Sequence, residues 1–293
     1  TGINKVVLDE ALNSNLMKCS VELLFFGRET KPIHEAISST IEPYIPNLTG
    51  NNDATIAILR SIGINYKNSG SQWKTLSDLS EEQNKELVEL LIPYVSASEN
   101  AEEVLGEIIG NVYTLNKEEE YSPLRDAREF AILIESCIKT GNYGIAIAIC
   151  LGDRDKMLLD AEELMEKYKR NINKCLISIL NDEDIIIETT KSFIINVDVL
   201  VKEKLMSKIS SILSKVKRFE NKVIILKSST ADGEVIIHVV SNIKQKSTAN
   251  IGEIMFECSN QTGGIGIGSK FAGKAKIPLS KSEEFIKLIN VKL

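Results

Sequence analysis

The sequence has few of the residues from which metal and nucleophile sites are made. Its 293 residues include only two histidines, His34 and His238, and a single tryptophan, Trp73. The five cysteines, Cys19, Cys137, Cys150, Cys175 and Cys258, never form a Cys-x-x-Cys pair. That spacing excludes a zinc ribbon or a dithiol redox motif and fits buried thiols in a reducing compartment. No Walker sequence, His-Glu-x-x-His or nucleophile elbow is present. No apolar run is long enough to span a membrane and no secretory leader is visible, so a cytoplasmic location is expected. The opening "TGINKVVLDEAL" lacks an initiator Met, as in a chain cut from a larger protein or a processed one.

What is there is ordinary globular material. Hydrophobic residues make up 43% and charged residues 26%, with a net charge of −6. The length suits one large domain or two smaller ones. A negative balance argues against a uniformly basic surface but leaves room for a local basic groove.

Along the chain, residues 4–26 show helical spacing (Val7, Leu8, Leu12, Leu16), followed by the apolar run "VELLFF". The stretch from 28 to about 118 reads as short helices joined by turns. Pro43 and Pro46 make a stiff turn around Tyr44. "DATIAILRSIGI" is helical, with Asp53 as a cap and Gly63 as a stop. Ser80 and Gln83 stand at capping-box spacing for a helix that ends before Pro93. Trp73 anchors a loop on these helices, and His34 begins a helix as a surface or capping residue.

From residue 121 the pattern changes. "SPLRDAREFAILIESCIKTG" predicts a helix with Ala127, Ala131, Ile134 and Ile138 on one face. The run "YGIAIAICL" predicts a buried parallel strand. A long amphipathic helix follows, then strands at "DIIIET" and "SFIINV", a helix over roughly 201–217, and strands at "KVIILK" and "EVIIHVV". "NIGEIMFEC" predicts a short helix and "AKIPL" an edge strand. Ser280 and Glu283 repeat the capping-box spacing in the last helix. The alternation predicts an α/β fold: a helical N-terminal and insert region, then an α/β domain with a mixed sheet.

Two stretches carry candidate chemistry. In "GDRD", Asp153 and Asp155 could converge on an ion, but a turn that caps the next helix explains them better. His238 reads as a satisfied strand histidine, with no ligand-spaced partner. The second stretch is "TGGIGIGSKFAGKAKIP", residues 262–278, with five glycines, Ser269, Lys270 and Lys274. Successive free amides beside lysines could cradle a phosphate. A sheet corner that needs positive φ explains the glycines equally well.

The combination of "FGRETKPIHEAI", "EPYIPNLTG", "WKTLSDLSEEQ", "SPLRDAREFA" and "GIAIAICLGDRD" resembles the archaeal RecJ-like branch of the DHH phosphoesterase superfamily. The glycine stretch with "AGKAKIP" resembles the end of that family's DHH-associated domain, and the likeness runs from about residue 1 to 289. The resemblance implies residues 1–27 as the tail end of the DHH domain and 28–120 as a mostly helical insert. It then implies 121–178 as a helix, buried strand and long linker helix, and 179–293 as the DHH-associated α/β domain. It implies the substrate-holding part of a single-stranded DNA or RNA exonuclease of 5′–3′ type. Mn2+ or Mg2+ would sit in an N-terminal domain lying before these residues, with no metal, cofactor or catalytic residue in the chain itself. Members of the family also serve as non-catalytic replisome scaffolds that bind a GINS complex, which is the alternative.

In the exonuclease reading the nucleic-acid contacts are Arg125, Arg128, Lys139, Gly266, Gly268, Ser269, Lys270 and Lys274. Two departures weaken those contacts. Gly268 stands where the family has a substrate-contacting histidine. Glu135 and Lys139 stand where an asparagine and an arginine are usual, and lysine loses the bidentate grip on phosphate.

Overall fold

The computed structural model describes residues 2–40, 44–45, 47–61, 63, 73–95, 106, 108–198, 200–219, 221–241 and 249–293. The chain divides into two compact units, residues 1–169 and 170–293.

Unit 1 opens with helix α1 (Ile3–Asn13) and strand β1 (Met17–Leu23). Helices α2 (Ile33–Ser39), α3 (Asn52–Ser61) and α4 (Glu81–Val95) follow, then strand β2 (Ile109–Leu115). β1 and β2 form an antiparallel ribbon in which Met17 faces Leu115 and Leu23 faces Ile109. The helical spacing over 4–26 therefore ends at Asn13, and "VEL" of the apolar run belongs to a strand. Nothing local announces that strand, because its partner lies far along the chain. Leu23, Ile33, Ile37, Leu48, Leu59, Leu87, Leu91 and Ile108 form the first core.

Local signals held in several places here. Ser80 Oγ accepts from Gln83 N–H, and Gln83 Oε1 accepts from Ser80 N–H, both at 3.2 Å, closing the expected capping box. At α3 the cap is Asn51, whose Oδ1 accepts from Ala54 N–H, while Asp53 lies inside the first turn. Other signals were overridden. α4 runs through Pro93 to Val95, since a proline so near a C-terminus costs few backbone hydrogen bonds. His34 is buried instead of exposed, with its ring 5.3 Å from that of Trp73, and burial lowers its pKa. In the expected proline turn, Pro43 and Pro46 lie outside the described residues.

Three helices complete unit 1: α5 (Ala127–Thr140), α6 (Tyr143–Cys150) and α7 (Lys156–Asn181). α7 runs on across the division between the units. The predicted buried strand "YGIAIAICL" is α6. Gly141, at φ +86°, ends α5, and Asn142 starts the next helix at once. Ala146 and Ile149 then share the buried face, while Ile147 is exposed. The apolar run is thus a half-exposed helix, not a strand covered on both sides. Phe26, Leu133, Cys137, Ile149, Ala161 and Met165 form the second core.

Unit 2 is a six-stranded mixed sheet of order β3–β4–β5–β6–β8–β7. Its strands are β3 (Ile186–Glu188), β4 (Ser192–Asn196), β5 (Val223–Ser229), β6 (Glu234–Val240), β7 (Ile265–Gly268) and β8 (Ala272–Pro278). β4 and β5 are parallel, joined through α8 (Glu203–Leu213), and the other pairs are antiparallel. α9 (Ile251–Thr262) and α10 (Ser282–Lys292) share a core with Val235, Ile237, Val239, Ala275 and Ile277. β8 is an interior strand, not the predicted edge; the edge is β7, drawn from the glycine stretch itself. α10 begins at Ser282 after a 3-10 turn over Leu279–Lys281, so the Ser280–Glu283 spacing does not cap it. The architecture is α/β, as the sequence predicts.

Candidate functional site

The glycine stretch folds as the end of α9 and the β7–β8 hairpin. Gly263, at φ +75°, terminates α9 in the left-handed region. The remaining glycines answer to proximity. A Cβ on Gly266 would strike the Met255 carbonyl oxygen and Ser259 Oγ, and one on Gly268 would lie 2.9 Å from Gly252 Cα. A Cβ on Gly273 would lie 2.5 Å from Met255 Cγ. Glycine therefore lets α9 lie against the hairpin backbone.

That packing commits several amides in and beside the stretch. Gly252 N–H donates to Ser269 O (2.7 Å) and Ile251 N–H to Lys270 O (3.1 Å), so the start of α9 is capped by the hairpin tip. Ser269 N–H donates to Ala272 O (2.7 Å), and Gly264 N–H to Ser259 O (2.9 Å). The lysines remain on the surface. Lys274 Nζ pairs with Glu203 (2.9 Å), Lys276 pairs with Glu234, and Lys270 Nζ lies 5.5 Å from the Phe271 ring centroid.

Alternation in "GIGIG" sorts the side chains. The glycine positions face α9, while Ile265 and Ile267 stand on the opposite face, 77% and 68% exposed. Register places Lys276 beside Ile265 and Lys274 beside Ile267. The edge thus presents apolar side chains flanked by lysines.

Of the sequence-predicted contacts, Gly266, Gly268, Ser269, Lys270 and Lys274 come together on this hairpin, and Arg125, Arg128 and Lys139 belong to unit 1. Arg125 lies 3.4 Å from Glu29 and 3.5 Å from Glu120. Arg128, in the first turn of α5, donates from Nη1 to Leu24 O. Lys139 is in the last turn of the same helix, roughly 16 Å further along its axis. The two ends of α5 do not form one cluster. In "GDRD", Asp153 Oδ1 accepts from Asp155 N–H (3.1 Å), and Arg154 forks onto Glu118 at 2.9 and 2.8 Å. Among the described residues no three His, Cys, Asp or Glu side chains converge as a metal site would require.

Sequence reasoning missed a buried charge pair in unit 1. Glu129 is 4% exposed and Lys169 3%. Glu129 Oε1 accepts from Gly27 N–H (2.6 Å) and Arg28 N–H (3.3 Å), pinning the loop after β1 to α5. Glu129 Oε2 and Lys169 Nζ have no hydrogen-bond partner among the described residues. Lys169 Nζ instead sits 3.1 Å above the Phe26 ring. Burial, reinforced by Asp126, pushes the Glu129 carboxyl up to about 7. Burial, reinforced by Lys31, pulls the Lys169 ammonium down to about 7. A cavity of about 40 Å³ beside them, also lined by Leu24, Phe26 and Arg128, has room for a water molecule. The sequence signal was a Glu on the buried side of an otherwise apolar helix face.

Residues 25–109 match the model of the DHH-CID domain. No curated protein matches the chain. Among solved structures, CDC45 from Entamoeba histolytica superposes with a TM-score of 0.61 at 13% identity, over 98% of this chain and 63% of that one. This chain therefore spans less than two thirds of that protein's length. RecJ from Thermus thermophilus, in complex with Mn2+, gives a TM-score of 0.43 at 13% identity, over 71% of this chain and 29% of that one. The CDC45 likeness, at such low identity, is one of fold. Residues 25–109 are thus similar to a DHH-CID domain, set in a chain whose fold is like that of CDC45.

Proposed function

We propose that this chain is a non-catalytic, partner-binding scaffold of the superfamily, which engages a GINS-like complex through unit 2. The observation that carries the reading is the outer edge of β7, where Ile265 and Ile267 stand exposed on a terminal strand. Soluble proteins suppress apolar sheet edges unless a partner covers them. At the hairpin tip, where a cradle for nucleic-acid ends would form, the Ser269 amide is committed to Ala272 O, and the neighbouring Ile251 and Gly252 amides at the start of α9 are committed to carbonyls of the tip. Gly268 in the place of a histidine and Glu135 in the place of an asparagine favour the same reading, as does the CDC45-like fold.

Calorimetric titration of a purified GINS-like complex into this chain tests it. Saturable binding is expected, weakened at least about tenfold by the pair Ile265→Lys and Ile267→Lys. Absence of binding, or binding indifferent to that pair, overturns the proposal.

One observation favours the substrate-holding reading of a RecJ-like exonuclease: Lys270, Lys274 and Lys276 project from a single hairpin. In that reading they hold backbone phosphates, joined by Arg125, Arg128 and Lys139, without sequence preference. The measurement is fluorescence anisotropy with a 5′-phosphorylated single strand. Affinity that falls with salt and with Lys270→Ala would establish it over the scaffold reading.

A further inference from the structure

We infer that the open edge of β7 takes up a short, extended, acidic segment of a protein partner by strand addition. The inference rests on the partner-binding reading above and specifies its mode.

The main chain supplies the first argument. Ser269 N–H donates to Ala272 O, which makes those two residues a hydrogen-bonded pair. Such pairs alternate along an antiparallel ladder, so Ile267–Lys274 and Ile265–Lys276 are bonded pairs as well. Gly266 and Gly268 then turn their N–H and C=O groups away from β8, toward the edge. Both are glycines, so no side chain of their own shields those groups. Among the described residues no strand lies beyond β7. An added strand would meet the N–H and C=O of Gly266 and the N–H of Gly268 there, while the Gly268 carbonyl lies against Gly252 of α9.

The side chains supply the second. On one face of the edge an incoming strand would pack on Ile265 and Ile267. On the other it would reach Phe256, 57% exposed and next in sequence to Met255, whose carbonyl lies at Gly266. Charge selects the occupant. Lys270 at the tip has no ion-pair partner among the described residues, and Lys274 and Lys276, paired with Glu203 and Glu234, flank the isoleucines. Acidic residues alternating with apolar ones would match that row. Length excludes a second copy as the main occupant. Four edge residues span roughly 13 Å, too little to bury the approximately 1,000 Å² that a stable interface needs. A linear segment is the fitting ligand.

The test uses a labelled peptide of alternating valine and glutamate, read by anisotropy and by amide exchange in NMR on the full chain. Expected are saturable binding and slowed exchange at the Gly266 and Gly268 amides. Affinity should fall at least about tenfold when alternate peptide nitrogens are methylated, and fall likewise when lysine replaces glutamate. Binding without protection at the two glycines, or binding indifferent to N-methylation, overturns strand addition. Failure of every peptide also overturns it. If the GINS-like complex still binds in a manner sensitive to Ile265→Lys and Ile267→Lys, the scaffold reading survives that failure; if it does not, both fall together.

Discussion

In unit 2 the first amides of α9, from Ile251 and Gly252, are taken by main-chain carbonyls at the hairpin tip. In unit 1 the amides of Gly27 and Arg28 are taken by one buried carboxylate, Glu129, from a helix about a hundred residues further along the chain. The first arrangement uses neutral groups and needs close approach, which glycine provides. The second tolerates ordinary side chains but keeps an ionisable group out of water, with a second one, Lys169, nearby. The neutral cap of α9 therefore has nothing to titrate, whereas burial of Glu129 makes the unit 1 loop sensitive to pH. Steric substitutions should break the one and proton concentration should modulate the other.

The largest expected effect is steric. Gly266→Val puts a branched side chain against Ser259 Oγ and the Met255 carbonyl, and the carbonyl cannot retreat without moving α9. A loss of about 3 kcal/mol in unfolding free energy is expected, measured by urea denaturation. A loss under about 1 kcal/mol would mean that α9 does not press on the hairpin.

Next is the pH response of unit 1. The Glu129 pKa is raised, so its contribution is fully present below the unfolded value of 4.5 and is lost as pH rises through about 7. The Lys169 pKa is depressed, so its contribution is present above the unfolded value of 10.5 and is lost as pH falls through about 7. Together they give unit 1 a stability minimum near neutrality. Glu129→Gln keeps an acceptor oxygen for the loop amides but removes the proton linkage. The decline between pH 4.5 and 7 should then flatten by about 2 kcal/mol in denaturant titrations across that range. An unchanged profile would show that Glu129 titrates normally.

Legibility follows the same division. The capping box at Ser80, the α5 helix and strands β3 to β6 of unit 2 were readable because their signals are local. β1 was not, since its neighbour β2 lies some ninety residues away and "MKCSVEL" alternates only weakly. The "YGIAIAIC" run misled because an uninterrupted apolar run suits a buried strand, whereas here it starts a helix right after the two-residue link Gly141–Asn142. In the candidate site the glycines were legible as special, but their reason was not. "GIGIG" carries a period of two that separates packed glycines from exposed isoleucines, and its composition drew attention to phosphate instead. Glu129 looked like one more first-turn acid, and burial alone distinguishes it.

A smaller effect sharpens the unit 1 side of the comparison. Lys169→Met keeps the length of the side chain over Phe26 and removes the amine. Replacing a buried charge by an apolar group of similar size is often stabilising. A gain of about 1 kcal/mol is expected at pH 7, shrinking toward pH 10, because the cost of burying the amine falls as pH approaches the unfolded value of 10.5. A loss at pH 7 would mean that the amine is held by a partner, such as water in the adjoining cavity, worth more than its desolvation costs.

The smallest effect separates two reasons for glycine within one stretch. Gly263 sits at φ +75° with nothing within 4 Å of where a Cβ would be. Gly263→Ala therefore meets only the left-handed backbone penalty, about 1 kcal/mol. Asparagine, which tolerates that region, should recover part of it. At Gly266 the obstacle is contact, so asparagine should do no better than alanine. Urea denaturation of the four variants checks this. If asparagine rescues position 266 as well, backbone conformation governs the whole stretch, and the close seat of α9 on β7, on which the open edge depends, would have to be given up.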